Sequence, residues 1–152
     1  MADEFEQLKC VLLNINEDRL ILPNAAIAEI VPVRNMINVA NKPAWMLGFL
    51  DWRGNSVPLI SFEMLGGVRM PSLASEEVKA VVIYSVGNDD SLPFMSFLVK
   101  GAPQAINIIS SDVITNSEDS GHPAIDQKVM VKGELASIID MDSLESIIKD
   151  TV

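Results

Sequence analysis

The sequence predicts an antiparallel, all-β protein, built as small barrels or a sandwich, with one short helix at its C-terminal end. Three observations carry that expectation. Valine and isoleucine together number 31 against 14 leucines, a bias toward branched side chains that suit a pleated surface. Short apolar runs alternate with polar turn residues, giving four hairpin-like pairs. Only one segment combines a capping signature with a helical apolar stripe.

The first pair is CVLLNI (10–15) and RLILP (19–23) around the turn Asn16-Glu17-Asp18. NAAIA (24–28) can add a turn of helix before or overlapping the third strand, IAEIVPV (27–33), and NKPAW (41–45) reads as a loop or short turn. WMLGFLDW (45–52) and SVPLISF (56–62) flank Arg53-Gly54-Asn55. KAVVIYSV (79–86) and PFMSFLVK (93–100) flank a polar turn beginning at Gly87, and KVMV (128–131) and ELASIID (134–140) flank Lys132-Gly133. Pro58 and Pro93 cannot donate a ladder hydrogen bond and so fit edge positions or bulges. In DSLESIIKD (142–150), Asp142 stands as N-cap with Glu145 three residues later, and Leu144, Ile147 and Ile148 share one face.

Two breaks interrupt the pattern. GGVRMPSLASEE (66–77) reads as a connector, and NSEDSGHPAIDQ (116–127) as a surface loop. The expected organisation is one domain over 8–150. A first β unit covers about 8–66 and a second about 78–140, each with about five strands; the helix is 142–150. Strand exchange between the halves is allowed, and their junction is a natural groove.

The chain has 152 residues, 49% of them hydrophobic, which is enough to build a core and excludes a disordered segment as the main feature. Its charge is 11 basic against 21 acidic, a net −10, with no two basic residues adjacent. Nothing here gathers cations to neutralise phosphates, so neither nucleic acid nor an anionic membrane surface is an expected partner. The acidic start MADEFEQLK is unlike a secretory signal, and the apolar runs are far shorter than the roughly 20 residues that span a bilayer. A cytoplasmic protein without membrane insertion is expected.

Convergent titratable groups are scarce. His122, the one histidine, lies in a polar loop where solvent exposure is expected, and Cys10, the one cysteine, opens an apolar strand as a small hydrophobe. Asp140, Asp142 and Glu145 are explained by a strand end and a helix cap, and they lack the spacing of a calcium loop. No catalytic residue, metal site or cofactor is expected.

Two features need another explanation. Glu29 sits inside an apolar run whose alternation puts Ile27, Glu29 and Val31 on one face, and a carboxylate there requires a partner or a barrel rim. Farther on, Trp45, Phe49 and Trp52 place three of the eight aromatics within eight residues, directly before Arg53 and Gly54. Aromatics beside an arginine compose interaction hot spots. An Arg53–Glu29 pair would satisfy both oddities, since a guanidinium can meet a carboxylate in bidentate fashion.

These blocks resemble the CheW family of chemotaxis adaptors over roughly 8–149. ILPNAAIAEIV (21–31) is similar to the family's V-x-E-I strand, and ANKPAWMLGFLDWRGNSVPLISFE (40–63) to its A-x-x-P, G-x-x-x-x-R-G and V-P block. VKGELASIIDMDSLESII (131–148) resembles its last strand pair, whereas Ser96 and Lys100 stand where the family favours glycine and aspartate. The spelling W-R-G-N-x-V-P-L-x-S-F-E is more similar to adaptors of pilus-linked twitching systems, the PilI/ChpC type.

The resemblance implies two small five-stranded β-barrels packed together with a groove between them, and no catalysis. It implies two partners, the cytoplasmic tip of a chemoreceptor and the regulatory domain of a CheA-type histidine kinase. Carried onto this chain, the groove residues are Ile27, Glu29, Ile30, Arg53 and Gly54. The alternative reading is a small-molecule-binding double barrel whose pocket is the Trp45/Phe49/Trp52 cluster.

Overall fold

The computed structural model describes residues 7–15, 18–33, 36–68, 78–87, 91–116 and 121–152. Residues 16–17 of the first expected turn, 88–90 of the third, most of the 66–77 connector and 117–120 of the surface loop lie outside them. The strands are β1 (Leu8–Ile15), β2 (Asp18–Pro23), β3 (Ile27–Pro32), β4 (Met36–Asn38), β5 (Met46–Trp52) and β6 (Asn55–Ile60). They continue with β7 (Val78–Tyr84), β8 (Phe94–Ile108), β9 (Val113–Asn116), β10 (Ile125–Val131) and β11 (Glu134–Ile139). Among the described residues, two helices, α1 (Phe62–Leu65) and α2 (Met141–Thr151), join them, with 3-10 turns at Asn24–Ala26, inside the expected NAAIA segment, and at Ser110–Asp112. The fold is all-β and forms two small barrel-like halves.

The strand order β4-β5-β6-β8-β1-β2-β11-β10-β9, with β7 between β8 and β3, shows how the halves are joined. β8 belongs to both. Phe94–Lys100 pairs with β7, and Lys100–Ile108 with β1. Gly101, at φ +65°, redirects the strand at the crossing. Each half therefore has five strands of its own plus part of β8. β1 and β2 pack with β9–β11, and β3–β6 pack with β7, so the strands of 8–66 are divided between the two halves, a strand exchange. Parallel contacts fix this exchange: β2 with β11 (Leu20 opposite Ser137) and β6 with β8 (Leu59 opposite Ser96). Local hairpin signals could not reveal such pairings, because they join strands far apart in the chain.

β8 runs eight residues beyond the expected end at Lys100, through Gly101 and Pro103, because β1 supplies a partner for Lys100–Ile108. β4 and β9 are short edge strands that carry too few residues for an alternation signal. The strand expected over 56–62 stops at Ile60; the Ser61 side chain accepts from the Met64 N–H and starts α1. Pro58 lies on an inner strand rather than an edge, between β5 and β8, and its carbonyl accepts the Ser96 hydroxyl at 2.8 Å. The terminal helix also differs in its cap. Asp140 is the N-cap, accepting from the Ser143 N–H at 3.1 Å, and Asp142 lies in the first turn. Glu145 does not close a capping box; both its oxygens accept from the Gly87 N–H, at 3.2 and 3.0 Å.

Three apolar clusters explain the valine and isoleucine excess. Leu50, Trp52, Val57, Leu59, Ala80, Val82 and Leu98 fill the half built on β3–β7. Cys10, Leu12, Ile21, Val129, Val131 and Ala136 fill the other. The largest lies between them, where Leu13, Leu22, Ile60, Phe62, Val81, Ile83 and Phe97 meet Leu144 and Ile148 of α2. β1 and β7 thus bury both faces, Ala80 and Val82 toward one core and Val81 and Ile83 toward the other, so their sequences read as continuous apolar runs. Burying Leu144 and Ile148 stabilises the docked helix by roughly 1.5–3 kcal/mol each.

Candidate partner-binding site

The site is built where β3 meets the β5–β6 hairpin. β3 is not regular. Ile27 faces Ile83 while Glu29 faces Val82, so Ala28 is an extra residue in a bulge. A bulge resets the two-residue alternation. Ile27 and Ile30, three apart, both pack against the central core, whereas Ala28 and Val31 pack into the β3–β7 core. The expected common face of Ile27, Glu29 and Val31 is therefore not found, because strict alternation does not survive the extra residue.

Across from the bulge, Arg53 and Gly54 form the two-residue tip between Trp52 and Asn55, both at positive φ (+49° and +80°). This is the geometry whose twist matches a right-handed hairpin. Glycine adopts it freely; Arg53 is held there against a steric cost. Gly48, earlier on β5, leaves room for β4, since a Cβ there would fall on the Ile37 carbonyl.

The tip brings Arg53 to Glu29. Oε1 of Glu29 accepts from Arg53 Nη2 at 3.0 Å and Nε at 3.2 Å, and also from Trp52 Nε1 at 3.0 Å. The pairing expected from the sequence is present, but not as a two-oxygen fork: one oxygen takes all three donors. The Arg53 guanidinium also lies over the Trp52 ring at 5.2 Å, which in turn meets Phe94 edge-on at 4.8 Å. Glu29 and Arg53 side chains remain 39% and 69% exposed, while Trp52 is 9% exposed. A buried indole thus orients an exposed ion pair. The tryptophan N–H was the missing member of this constellation, and no local sequence signal links it to a residue on β3.

The aromatic residues separate. Trp45 and Phe49 pack against the central core, beside Ile27 and Ile30, and Trp52 enters the core of the β3–β7 half. They do not line one wall, so the expected Trp45/Phe49/Trp52 pocket does not form; β5 also carries a register shift between Met46 and Gly48. What remains are four half-buried apolar side chains, Ile27, Ile30, Trp45 and Phe49, each packed against the central core, with the Glu29–Trp52–Arg53 group on the opposite side of β3.

His122 is not the solvated loop residue expected. Its ring stacks on Phe62 (4.3 Å between centroids) and Nε2 lies 2.7 Å from the Phe62 carbonyl. Nδ1 accepts from the Ala124 N–H at 3.0 Å, which fixes the neutral tautomer protonated at Nε2. Burial pushes its pKa down, against the pull of the Phe62 carbonyl, Asp18 and Glu63. Cys10 is buried and its thiol is pushed up by that burial. Among the described residues, no group of three or more His, Cys, Asp or Glu could hold a metal ion, and no helix is long and apolar enough to cross a membrane.

A family model described as CheW-like domain matches residues 9–148. Among solved structures, the chain is similar to the crystal structure of scaffolding protein TtCheW from Thermoanaerobacter tengcongensis. The TM-score is 0.73 at 14% sequence identity, covering 88% of this chain and 84% of that one, a likeness of fold. A comparison with curated proteins finds no match.

Proposed function

Because the chain belongs to the CheW-like domain family, we propose that it is a non-catalytic adaptor coupling chemoreceptors to a CheA-type histidine kinase. The partners are the cytoplasmic tip of a receptor and the regulatory domain of the kinase, and the protein works in the cytoplasm at receptor assemblies. The observation that carries this reading is the set of half-buried apolar side chains, Ile27, Ile30, Trp45 and Phe49, that pack against the central core between the halves. A helical receptor tip with apolar side chains can bury the exposed parts of these side chains. Arg53 and Gly54 at the hairpin tip and Glu29 on β3 stand on the other side of that strand as polar contacts that set register.

The adaptor contributes binding free energy and geometry. Holding receptor and kinase together lets a conformational bias in one shift the population of the other, with a coupling limited by the difference in affinity for the two states. The W-R-G-N-x-V-P-L spelling supports service in a pilus-linked twitching pathway.

Co-purification with a receptor-tip fragment and with the kinase regulatory domain tests the reading. Binding to both is expected, with Ile30→Asp weakening the receptor contact at least tenfold; binding to neither overturns it. Glu29→Arg and Arg53→Glu are each expected to weaken binding, and the double charge swap to recover part of the loss.

A further inference from the structure

We propose that an open apolar pocket at the end of the β1–β2/β9–β11 half is a binding site for a compact hydrocarbon group, a short alkyl chain or a single aromatic ring. A cavity of about 200 Å3 lies there, with Cys10, Ile21, Val113, Val129 and Val131 in its wall. Leu8, 52% exposed, and the exposed Pro23 mark its mouth, whereas Cys10, Val129 and Val131 are at most 3% exposed. The cavity is therefore an open apolar pocket at the end of the half, its rim exposed and its inner wall closed to solvent.

The buried cluster of this half relies on small side chains, Cys10, Val129, Val131 and Ala136, and contains no aromatic ring among the described residues. The other half buries Trp52, Leu50, Leu59 and Leu98, and its own pocket, about 320 Å3, differs in having Asn38 in its wall. Close packing is the rule in protein interiors, and atoms lining a void lose their dispersion partners on one side. Engineered apolar cavities of roughly 150 Å3 stay dry and take up benzene or xenon.

The wall decides the class of ligand. Its side chains are aliphatic apart from proline and the Cys10 thiol. A polar or charged guest would lose its hydration with no side-chain partner in return, whereas a hydrocarbon group loses only its contact with water. Binding here favours the folded chain by mass action, whatever partner covers Ile27 and Ile30.

Thermal unfolding of the whole chain with benzene, 1-hexanol and glycerol tests the site. A saturable rise in Tm with the first two, none with glycerol, is expected. The rise should disappear in Val113→Phe and in Cys10→Leu, which fill the cavity from different strands, and benzene should slow maleimide labelling of Cys10. No rise in the native chain overturns the proposal, and so does an equal rise in the native and filled chains. If the filled chains do not fold, xenon-induced methyl shifts in the native protein decide: shifts confined to this half support the site, and scattered shifts overturn it.

Discussion

Trp52 donates its indole N–H to the same Glu29 oxygen that accepts the Arg53 guanidinium, 3.0 Å away across 23 positions of sequence. The anchor of the pair is thus the buried ring, and the exposed arginine is its outer member. Trp52→Ala is expected to cost about 3–5 kcal/mol in urea unfolding, as large aromatic truncations do. Trp52→Phe should cost less, the lost hydrogen bond accounting for about 1 kcal/mol. Arg53→Ala should cost under about 1 kcal/mol, because solvent screens a pair this exposed. A larger loss for Arg53→Ala than for Trp52→Ala would contradict this ordering.

Gly48 is required by a close approach. A methyl group there meets the backbone carbonyl of Ile37 on β4, and the atoms it meets are main chain rather than the end of a flexible side chain. Gly48→Ala is expected to destabilise by about 1–3 kcal/mol, the range of overpacked interiors, and to increase amide exchange at Ile37 and Asn38 first. Unchanged exchange on β4 would show that the edge strand does not feel the substitution.

The helix cap separates two neighbouring aspartates. Asp140 accepts from the Ser143 N–H and hydroxyl, which hold its carboxyl below the usual carboxylate range. Asp140→Ala is expected to cost about 1 kcal/mol, and Asp142→Ala much less. The Asp140 contribution is present above its unfolded pKa and is lost as pH falls through the lower folded value. Equal losses from the two substitutions would return the cap to Asp142.

His122 makes stability depend on mild acid. Burial first of all keeps the ring neutral, and Nδ1 must stay bare to accept the Ala124 N–H. Above the unfolded value near 6.5 both states are neutral and the full contribution is present. As pH falls, the unfolded chain takes up its proton first, so stability declines until pH has passed the folded pKa. Urea unfolding between about pH 7.5 and about pH 5 should show this loss, and His122→Gln should reduce the slope. Identical slopes in the two proteins would remove His122 as the cause.

Apolar patterning and turn chemistry were sufficient for the all-β class, all four hairpin pairs and the terminal helix, because each depends on residues close together in the chain. Glu29 and Arg53 could be singled out for the same reason: a carboxylate in an apolar run and an arginine at a glycine turn are local anomalies. Tertiary structure decided the rest. The bulge at Ala28 turned Ile27 away from Glu29, the parallel pairings moved β1 and β2 into the opposite half, and His122 found Phe62 across 60 positions. Periodicity identifies the strands that must bury a face, but strands of similar apolar character can pair in more than one order. Long-range packing resolves that degeneracy, and with it which side chains meet at the site.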